Sequence, residues 1–417
     1  MRVFVLAEFL PKPDIGAGDR RLFALLKILA SRHDVDLCVM RDESRFETMP
    51  TWQTGDAAER TRLKALATEL PRYRNDLTSI GVRVTPFGWK HVGAALARTR
   101  YDIGIFEYYW ITESYAPVFR KCQPGTPVVC DSVDVCFART ERGVAFGQES
   151  AEEAARVKER ELRAFRASDA VVMVSSDDDA LVRALPDMPP TFLIPCIVPA
   201  RPRVARAPSR ECLFVGGFRH YPNVDGVLWF VENVWGRVRD ALPDAVFTVV
   251  GSDPPEEITR LAATVPGVHV TGYVPDTNPY LDRCAVSVAP LRWGGGMKGK
   301  VSEAVARGVP VVTTTIGAQG FGVRDGGGMV VADGAAEFAD AVIALLSDPA
   351  RAEALGLAGQ EQLSGICSPD AVARTTEAML ESLVPGPPPA RKFSARWSLY
   401  SLGFRLISGA RSLVVSS

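Results

Sequence analysis

Short apolar runs alternate along the chain with longer segments in which apolar residues recur every three or four positions. Such runs predict buried parallel strands, and the periodic segments between them predict crossover helices. In the first half, strands are predicted at 2–7, 34–40, 82–86, 102–107, 127–130 and 170–174. In the second half, they are predicted at 211–215, 246–251, 268–271, 286–289, 310–314 and 329–331. The pattern indicates an α/β fold with two Rossmann-like, doubly wound domains.

A glycine turn follows the first predicted strand, at Gly16 and Gly18, and a helix is expected to begin near Asp19. One face of that helix is apolar and carries Leu22, Leu25, Leu26 and Leu29. The polar stretch 41–74 is typical of an exposed helix or an insertion. Further helices are predicted at 149–166, 224–241 and 300–307.

Two segments of the chain are rich in proline and have the composition of linkers. The segment 195–210 lacks periodicity and indicates an interdomain linker, and a proline-rich run occupies 385–389. We therefore expect a first domain at 1–195, a linker at 196–210, a second domain at 211–384 and a tail at 385–417.

The 417 residues are enough for two domains of roughly 200 residues each. Lys and Arg total 48 against 49 Asp and Glu, which argues against nucleic acid as the main partner. The eight cysteines are scattered without a C-x-x-C pair, as expected for thiols in a reducing cytoplasm, and no metal site is predicted. The opening apolar run is too short for a signal peptide, so a cytoplasmic chain, soluble or peripheral, is expected.

Three glycine-bearing turns follow predicted strands of the second half. Gly216 and Gly217 follow the first of these strands, and Arg219 adds a positive charge beside them. Backbone N–H groups in such a turn can approach a phosphate, although a plain tight turn explains two glycines equally well. Gly317 follows a later strand, and ligands of open α/β sheets bind at these strand ends.

The segment 290–304 carries the strongest of the three signals. Glycines 294–296 expose backbone donors before a predicted helix, whose N-terminus favours anions. Lys298 and Lys300 strengthen that preference, and Glu303 is expected in the first helical turn, where it can accept hydrogen bonds from ribose hydroxyls. The three turns should face one crevice that binds a nucleotide diphosphate.

The runs 215–223, 272–276, 290–304 and 310–320 resemble the donor domain of the group 1, family-4 glycosyltransferases of GT-B fold. The resemblance is strong over 211–347 and weaker, through 16–21 and 131–139, in the first half. It implies transfer of a sugar from a UDP-, GDP- or ADP-linked donor to a glycan, glycolipid or similar acceptor. It also implies retention at the anomeric carbon, two domains facing across a cleft, and no metal or other cofactor.

The resemblance implies roles for particular positions. Glu303 matches the second glutamate of the family's E-x7-E motif, which binds the ribose, and Lys298 and Lys300 match basic positions near the diphosphate. The backbone of Tyr273 and Val274 would flank the base. The glycine positions Gly16, Gly18, Gly216, Gly217, Gly296 and Gly317 would complete the donor site.

The chain departs from the family pattern at three places. Gly295 occupies the place of the first glutamate, as in a subgroup with a glycine-rich loop, and is counted as donor-binding. The first half has no histidine near Asp134, which remains a candidate for contacting the acceptor or the sugar. Arg219 and His220 are candidate substitutes for missing basic residues. These departures leave two alternatives open, a nucleotide-sugar epimerase and a catalytically silent sugar-nucleotide-binding or scaffold protein.

Two further signals in the first half have structural explanations. Asp177, Asp178 and Asp179 follow a predicted strand, and helix capping explains them better than a metal site. The aromatic residues at 108–110 follow another strand, where either stacking on a sugar or ordinary packing explains them.

The tail is basic and contains one apolar helical face with Phe393, Trp397, Tyr400, Phe404 and Ile407. A basic amphipathic helix with aromatic residues is typical of a membrane-surface anchor, here through 391–413. A terminal helix packed on the first domain explains the same pattern. A membrane-bound tail would suit an acceptor carried on a lipid.

Overall fold

The computed structural model describes residues 1–41, 57–85, 88–199, 201, 209–294, 297–320 and 326–384. The first sheet consists of β1 (Arg2–Ala7), β2 (Asp34–Val39), β3 (Arg83–Val84), β4 (Ile103–Glu107), β5 (Val128–Asp131), β6 (Ala170–Met173) and β7 (Thr191–Leu193). The second consists of β8 (Glu211–Val215), β9 (Val246–Val250), β10 (Val268–Gly272), β11 (Val286–Ala289), β12 (Val311–Thr313) and β13 (Met329–Val331).

The two sheets share one topology. The first has the order β3-β2-β1-β4-β5-β6-β7, the second β10-β9-β8-β11-β12-β13, and all paired neighbours are parallel. The strand order reverses between β1 and β4 and between β8 and β11. Crevices for ligands form at the carboxyl ends of strands at such reversals. The predicted α/β fold with two doubly wound units is confirmed.

Helices cover both sheets. In the first half they are α1 (Ala17–Ala30), α2 (Ala57–Ser79), α3 (Trp89–Arg98), α4 (Tyr109–Cys122), α5 (Cys136–Ala145), α6 (Ala151–Arg166) and α7 (Ser176–Arg183). In the second half they are α8 (Tyr221–Phe230), a π-helical turn (Val231–Trp235), α9 (Gly236–Ala241), α10 (Glu256–Thr264), α11 (Asn278–Arg283), α12 (Gly299–Ala306), α13 (Ala335–Ser347), α14 (Pro349–Cys367) and α15 (Pro369–Leu383).

Burial explains why the pattern of the sequence predicts these elements. Strands such as β4 and β11 are buried along their whole length, because helices cover both faces of a parallel sheet. The predicted leucine face of α1 is buried against the first sheet. Strand β7 escapes prediction because it has three residues, of which only the first is buried.

The last described helix returns to the first sheet. Val372, Met379 and Leu380 of α15 belong to the same apolar core as the strands of the first domain. His33 Nε2 and Glu377 Oε1 lie 3.0 Å apart beside this contact. The chain thus ties its two halves together before residue 385. The tail, with its predicted basic amphipathic helix, lies outside the described residues, as does the stretch 42–56.

Within the described parts of the chain, no helix is both long enough and apolar enough to span a bilayer.

Candidate functional site

A cavity of about 590 Å³ lies between the two domains at the carboxyl ends of their strands. The loop between β1 and α1, the segment 196–199, the turn after β8 and the start of α12 all contribute to its lining. The starts of α1 and α12 lie side by side, since a Cβ atom at Gly299 would lie 3.3 Å from Ala17 Cβ. Two helix N-termini, each with a partial positive charge, therefore border one cavity.

A half-buried lysine lies against the glycine turn after β8. Lys300 Nζ donates to Asn223 Oδ1 at 2.5 Å, and Asn223 Nδ2 donates to the Gly217 carbonyl at 2.6 Å. A Cβ atom at Gly216 would lie 2.9 Å from Asn223 Nδ2 and 3.1 Å from Lys300 Cε. Glycine is therefore needed at 216 so that the lysine and the asparagine can pack against the turn. The sequence indicated both glycines and Lys300 but assigned no role to Asn223.

Burial lowers the pKa of both lysines in this region. The pKa of Lys300 falls to about 7 because of burial and the positive charge of Lys298, against the opposing effect of Glu303. The pKa of Lys298 falls to about 8, also mainly through burial, while Asp134 and Asp178 oppose the shift. Two buried, partly desolvated cations at the N-terminus of α12 form an environment that a bound anion stabilises.

Glu303 lies in the second turn of α12, not in the first as predicted, because the helix begins at Gly299. Its carboxylate forms an ion pair with the Arg20 guanidinium from α1, so the two domains meet through it. Both side chains line the cavity, together with Val274 and Tyr273, whose side chain is 75% exposed. The structure thus brings the predicted ribose and base positions to one cavity, and Arg20 is an additional member.

The other predicted site residues make contacts of their own in the structure. Gly16 and Gly18 flank Ala17, which lines it, and a Cβ at Gly18 would lie 3.5 Å from Tyr108 Oη. Arg219 Nε donates to Asp253 at 3.0 Å on the surface. The Gly317 N–H donates a hydrogen bond to Thr314 Oγ1 at 3.1 Å.

Gly295 and Gly296 lie outside the described residues, so their predicted donor contact stays a prediction.

His220 precedes α8 and is exposed to solvent. Partial desolvation and the positive charges of Lys300, Arg139 and Lys298 lower the pKa of its imidazole. The lowered pKa disfavours a positive charge on His220 near pH 7, and its role as a substitute cation stays a prediction.

Helix α5 presents two arginines that sequence reasoning missed. Arg139 Nε donates to Asp134 Oδ2 at 2.7 Å, so the candidate acceptor-side carboxylate is paired within its own domain. Arg142 Nη1 reaches the second domain and donates to the Gly294 carbonyl at 2.6 Å and to Gln319 Oε1 at 3.2 Å.

The acidic triplet at the start of α7 has two functions in the structure. Ser175 is the N-cap and accepts a hydrogen bond from the Asp178 N–H at 3.0 Å, while the three aspartates occupy the first turn. Acidic residues in the first turn favour a helix, as the capping interpretation requires. Asp177 Oδ2 also accepts from the Gly320 N–H of the second domain at 2.9 Å. This contact between domains was not predicted.

Among the described residues, no three His, Cys, Asp or Glu side chains group as metal ligands would. Independence of a metal stays a prediction.

Two similar parallel sheets that face a shared cleft define a protein of the GT-B fold class. Sucrose-phosphate synthase from Thermosynechococcus elongatus matches with a TM-score of 0.66 and 18% identity, covering 92% of this chain and 98% of that chain. HepE from Anabaena, solved with UDP, matches with a TM-score of 0.60 and 15% identity, covering 92% of this chain and 100% of that one. The predicted GT-B fold is confirmed.

The family match concerns the second domain. Residues 209–348 match the family described as glycosyl transferases group 1, which confirms the resemblance predicted for 211–347. A protein of Klebsiella pneumoniae described as an uncharacterized 44.6 kDa protein in the cps region is 27% identical over 138 residues. That alignment covers 31% of this chain and 36% of the relative, so it spans about a third of the relative's length.

Proposed function

We propose that this chain is a glycosyltransferase that moves a sugar from a nucleotide-diphosphate sugar to a glycan, glycolipid or similar acceptor, with retention and without a metal. The observation that carries this function is Lys300, which Asn223 holds against the Gly216–Gly217 turn inside the interdomain cavity. A half-buried ammonium beside glycine backbone and a helix N-terminus suits a diphosphate. The match of 209–348 to group 1 glycosyl transferases supports the same conclusion.

The chemistry requires negative charge to be stabilised on the departing diphosphate. Lys300, Lys298 and the N-terminus of α12 would supply that stabilisation. Glu303, which lines the same cavity, would accept hydrogen bonds from the ribose. With retention, the leaving phosphate itself can assist the incoming hydroxyl, so the proposal needs no separate protein base.

UDP is the first nucleotide to test. The HepE structures contain UDP or UDP-glucose, and their fold covers 92% of this chain. The donor sugar and the acceptor depend on loops that differ between proteins of this fold. We therefore propose UDP-, GDP- and ADP-linked sugars as candidate donors and give UDP priority.

A thermal-shift titration against UDP, GDP, ADP and their common sugar conjugates tests the proposal. A ligand that binds only the folded state raises the melting temperature by mass action. We expect one nucleotide to give a clear shift that Lys300→Met removes and Lys158→Met retains, since Lys158 pairs with Glu141 on the outer surface. Absence of any shift in the wild-type chain would contradict the proposal.

Turnover then separates the proposed transfer from the alternatives. A transferase consumes the donor faster when an acceptor is added, whereas an epimerase converts it without acceptor. Binding without turnover in either assay would instead identify a silent sugar-nucleotide-binding protein.

We further propose that the chain acts in the cytoplasm and associates with the inner face of the membrane through 391–413. The positive charge and the aromatic residues of this segment support the proposal. A lipid-linked acceptor would then be within reach of the cleft.

A further inference from the structure

One carboxylate at the contact between the two domains is deeply buried and incompletely paired. The Asp178 side chain, in the first turn of α7, is only 3% exposed. Among the described residues, its Oδ2 atom has no hydrogen-bond partner. A buried oxygen without a partner costs free energy, so a carboxylate kept in this state calls for an explanation.

The environment of Asp178 belongs to the interface between the domains. The positive charges of Arg142 and Lys298 stabilise its ionised form, and the charge of Asp134 opposes them. Arg142 is bonded to the Gly294 carbonyl, and the neighbouring Asp177 is bonded to the Gly320 N–H. The first turn of α7 therefore abuts the second domain on the side where Lys298 lies.

Helix capping does not require Asp178. Ser175 already provides the N-cap, and Asp177 and Asp179 supply negative charge to the same turn. Asp179 is fully engaged with Arg183 and Thr191, so the helix retains a paired aspartate without Asp178. The buried position of Asp178 at the domain interface is thus not explained by the stability of α7.

The chemistry of the missing partner is restricted. An ionised carboxylate only accepts hydrogen bonds, so the partner must be a donor. Asp134 presents a second such atom, because its Oδ2 binds Arg139 while its Oδ1 lacks a partner among the described residues. Two acceptor oxygens near a lysine assigned to the diphosphate fit a neutral group that carries several hydroxyls.

We propose that Asp178, with Asp134, accepts hydrogen bonds from hydroxyl groups of the donor's sugar ring and so determines which sugar is held. This inference rests on the proposed function. Gly295 of the second domain has no side chain to offer a sugar, whereas Asp178 and Asp134 of the first domain each have an acceptor oxygen without a partner among the described residues. Asp178 is then a specificity-determining residue contributed across the cleft.

The test compares UDP with UDP-glucose, since only the second carries the sugar. Dissociation constants are measured by calorimetry for the wild type, Asp178→Ala and Asp178→Asn. We expect Asp178→Ala to weaken UDP-glucose binding about tenfold while UDP binding changes less than about twofold. Asp178→Asn keeps one acceptor oxygen and should lose less than Asp178→Ala. Asp179→Asn is the matched control on the same turn and should leave both constants unchanged.

The outcomes separate this inference from the function on which it rests. If the wild type binds UDP, then an unchanged ratio of the two constants in Asp178→Ala overturns the sugar contact and leaves the proposed function intact. An equal loss of affinity for both ligands would assign Asp178 to the shape of the cleft and overturn the contact as well. A wild type that binds no nucleotide would contradict the proposed function itself, and this inference with it.

Discussion

Arg20 of the first domain and Glu303 of the second form an ion pair at the edge of the interdomain cavity. Glu303 is also the residue that the sequence assigns to the ribose. A nucleotide whose ribose binds Glu303 would share this carboxylate with Arg20 or replace the arginine. The same side chain is therefore placed to connect nucleotide binding with the contact between the domains.

The first prediction concerns this carboxylate. Glu303→Ala should weaken binding of the preferred nucleotide by about 1–3 kcal/mol, because the ribose hydroxyls lose their acceptor. Glu303→Gln keeps an acceptor oxygen and should lose less. Calorimetric titration of both variants measures the effect. An unchanged dissociation constant in Glu303→Ala would contradict the assignment of Glu303 to the ribose.

The second prediction is a pH dependence caused by Lys300. Burial lowers its pKa to about 7 in the free protein, and a bound diphosphate favours the protonated form. Binding above pH 7 must then take up a proton, so affinity for UDP should fall as the pH rises from 7 to 8, by at most about tenfold. The terminal phosphate of UDP ionises near pH 6, below this window.

Lys300→Arg is the control for this dependence, since arginine stays charged throughout the range. The variant should lose at most about twofold in affinity for UDP between pH 7 and 8, the part that comes from Lys298 with its pKa of about 8. If wild type and variant lose affinity in parallel, the titrating group is not Lys300.

The fold was predictable because burial on both faces makes parallel strands continuous apolar runs. Strands β1, β8, β11 and β13 have the predicted bounds, and the others differ at their ends. Strand β7 is missed because three residues with only one buried carry no pattern. Local hydrophobicity thus predicts which segments form the sheets, but it does not predict short edge strands.

The candidate site was only partly predictable, for a different reason. Gly216 stands out in the turn directly after one apolar strand, and Lys300 and Glu303 stand out in the strand–turn–helix segment 290–304. Arg20 and Asp178 reach the cleft from the other domain, and their positions depend on how the two domains meet. A periodic sequence pattern predicts one helix or strand at a time. It therefore does not predict which residues of the two domains come into contact.

The third prediction compares two adjacent glycines. A methyl group at Gly216 would meet Asn223 and Lys300, whereas one at Gly217 would have Ser252 Oγ at 3.3 Å as its nearest neighbour. Gly216→Ala should therefore displace Lys300 and weaken UDP binding about tenfold or more, the loss expected for a charge-assisted contact. Gly217→Ala should weaken it less, and equal effects in a calorimetric titration would contradict the proposed position of Lys300.

The fourth prediction concerns the tail. Deleting the residues after Pro389 should move the protein from the membrane fraction to the soluble fraction, because the basic aromatic segment is lost. The melting temperature should stay unchanged, since α15 already completes the core of the first domain. A chain that loses its folding on truncation would instead support a tail packed against the first domain.

The last prediction is a gain of stability at Asp178. Burial raises the pKa of this carboxyl to about 6, above its value near 3.9 in an unfolded chain. The folded state therefore binds the proton more tightly, and the free energy of unfolding falls as the pH rises from about 4 to 6. At pH 7 the ionised carboxylate costs up to about 3 kcal/mol, so Asp178→Asn should stabilise the protein there.

Urea unfolding at pH 7 and below pH 4 measures this gain, which should vanish at the lower pH because both states are then largely protonated. Asp179→Asn should show the opposite sign at pH 7, because Asp179 is paired with Arg183 and Thr191. Destabilisation by Asp178→Asn at pH 7 would show that the folded state itself satisfies this carboxylate. A gain in stability together with a loss of affinity for the sugar is expected of a residue kept for binding rather than for folding.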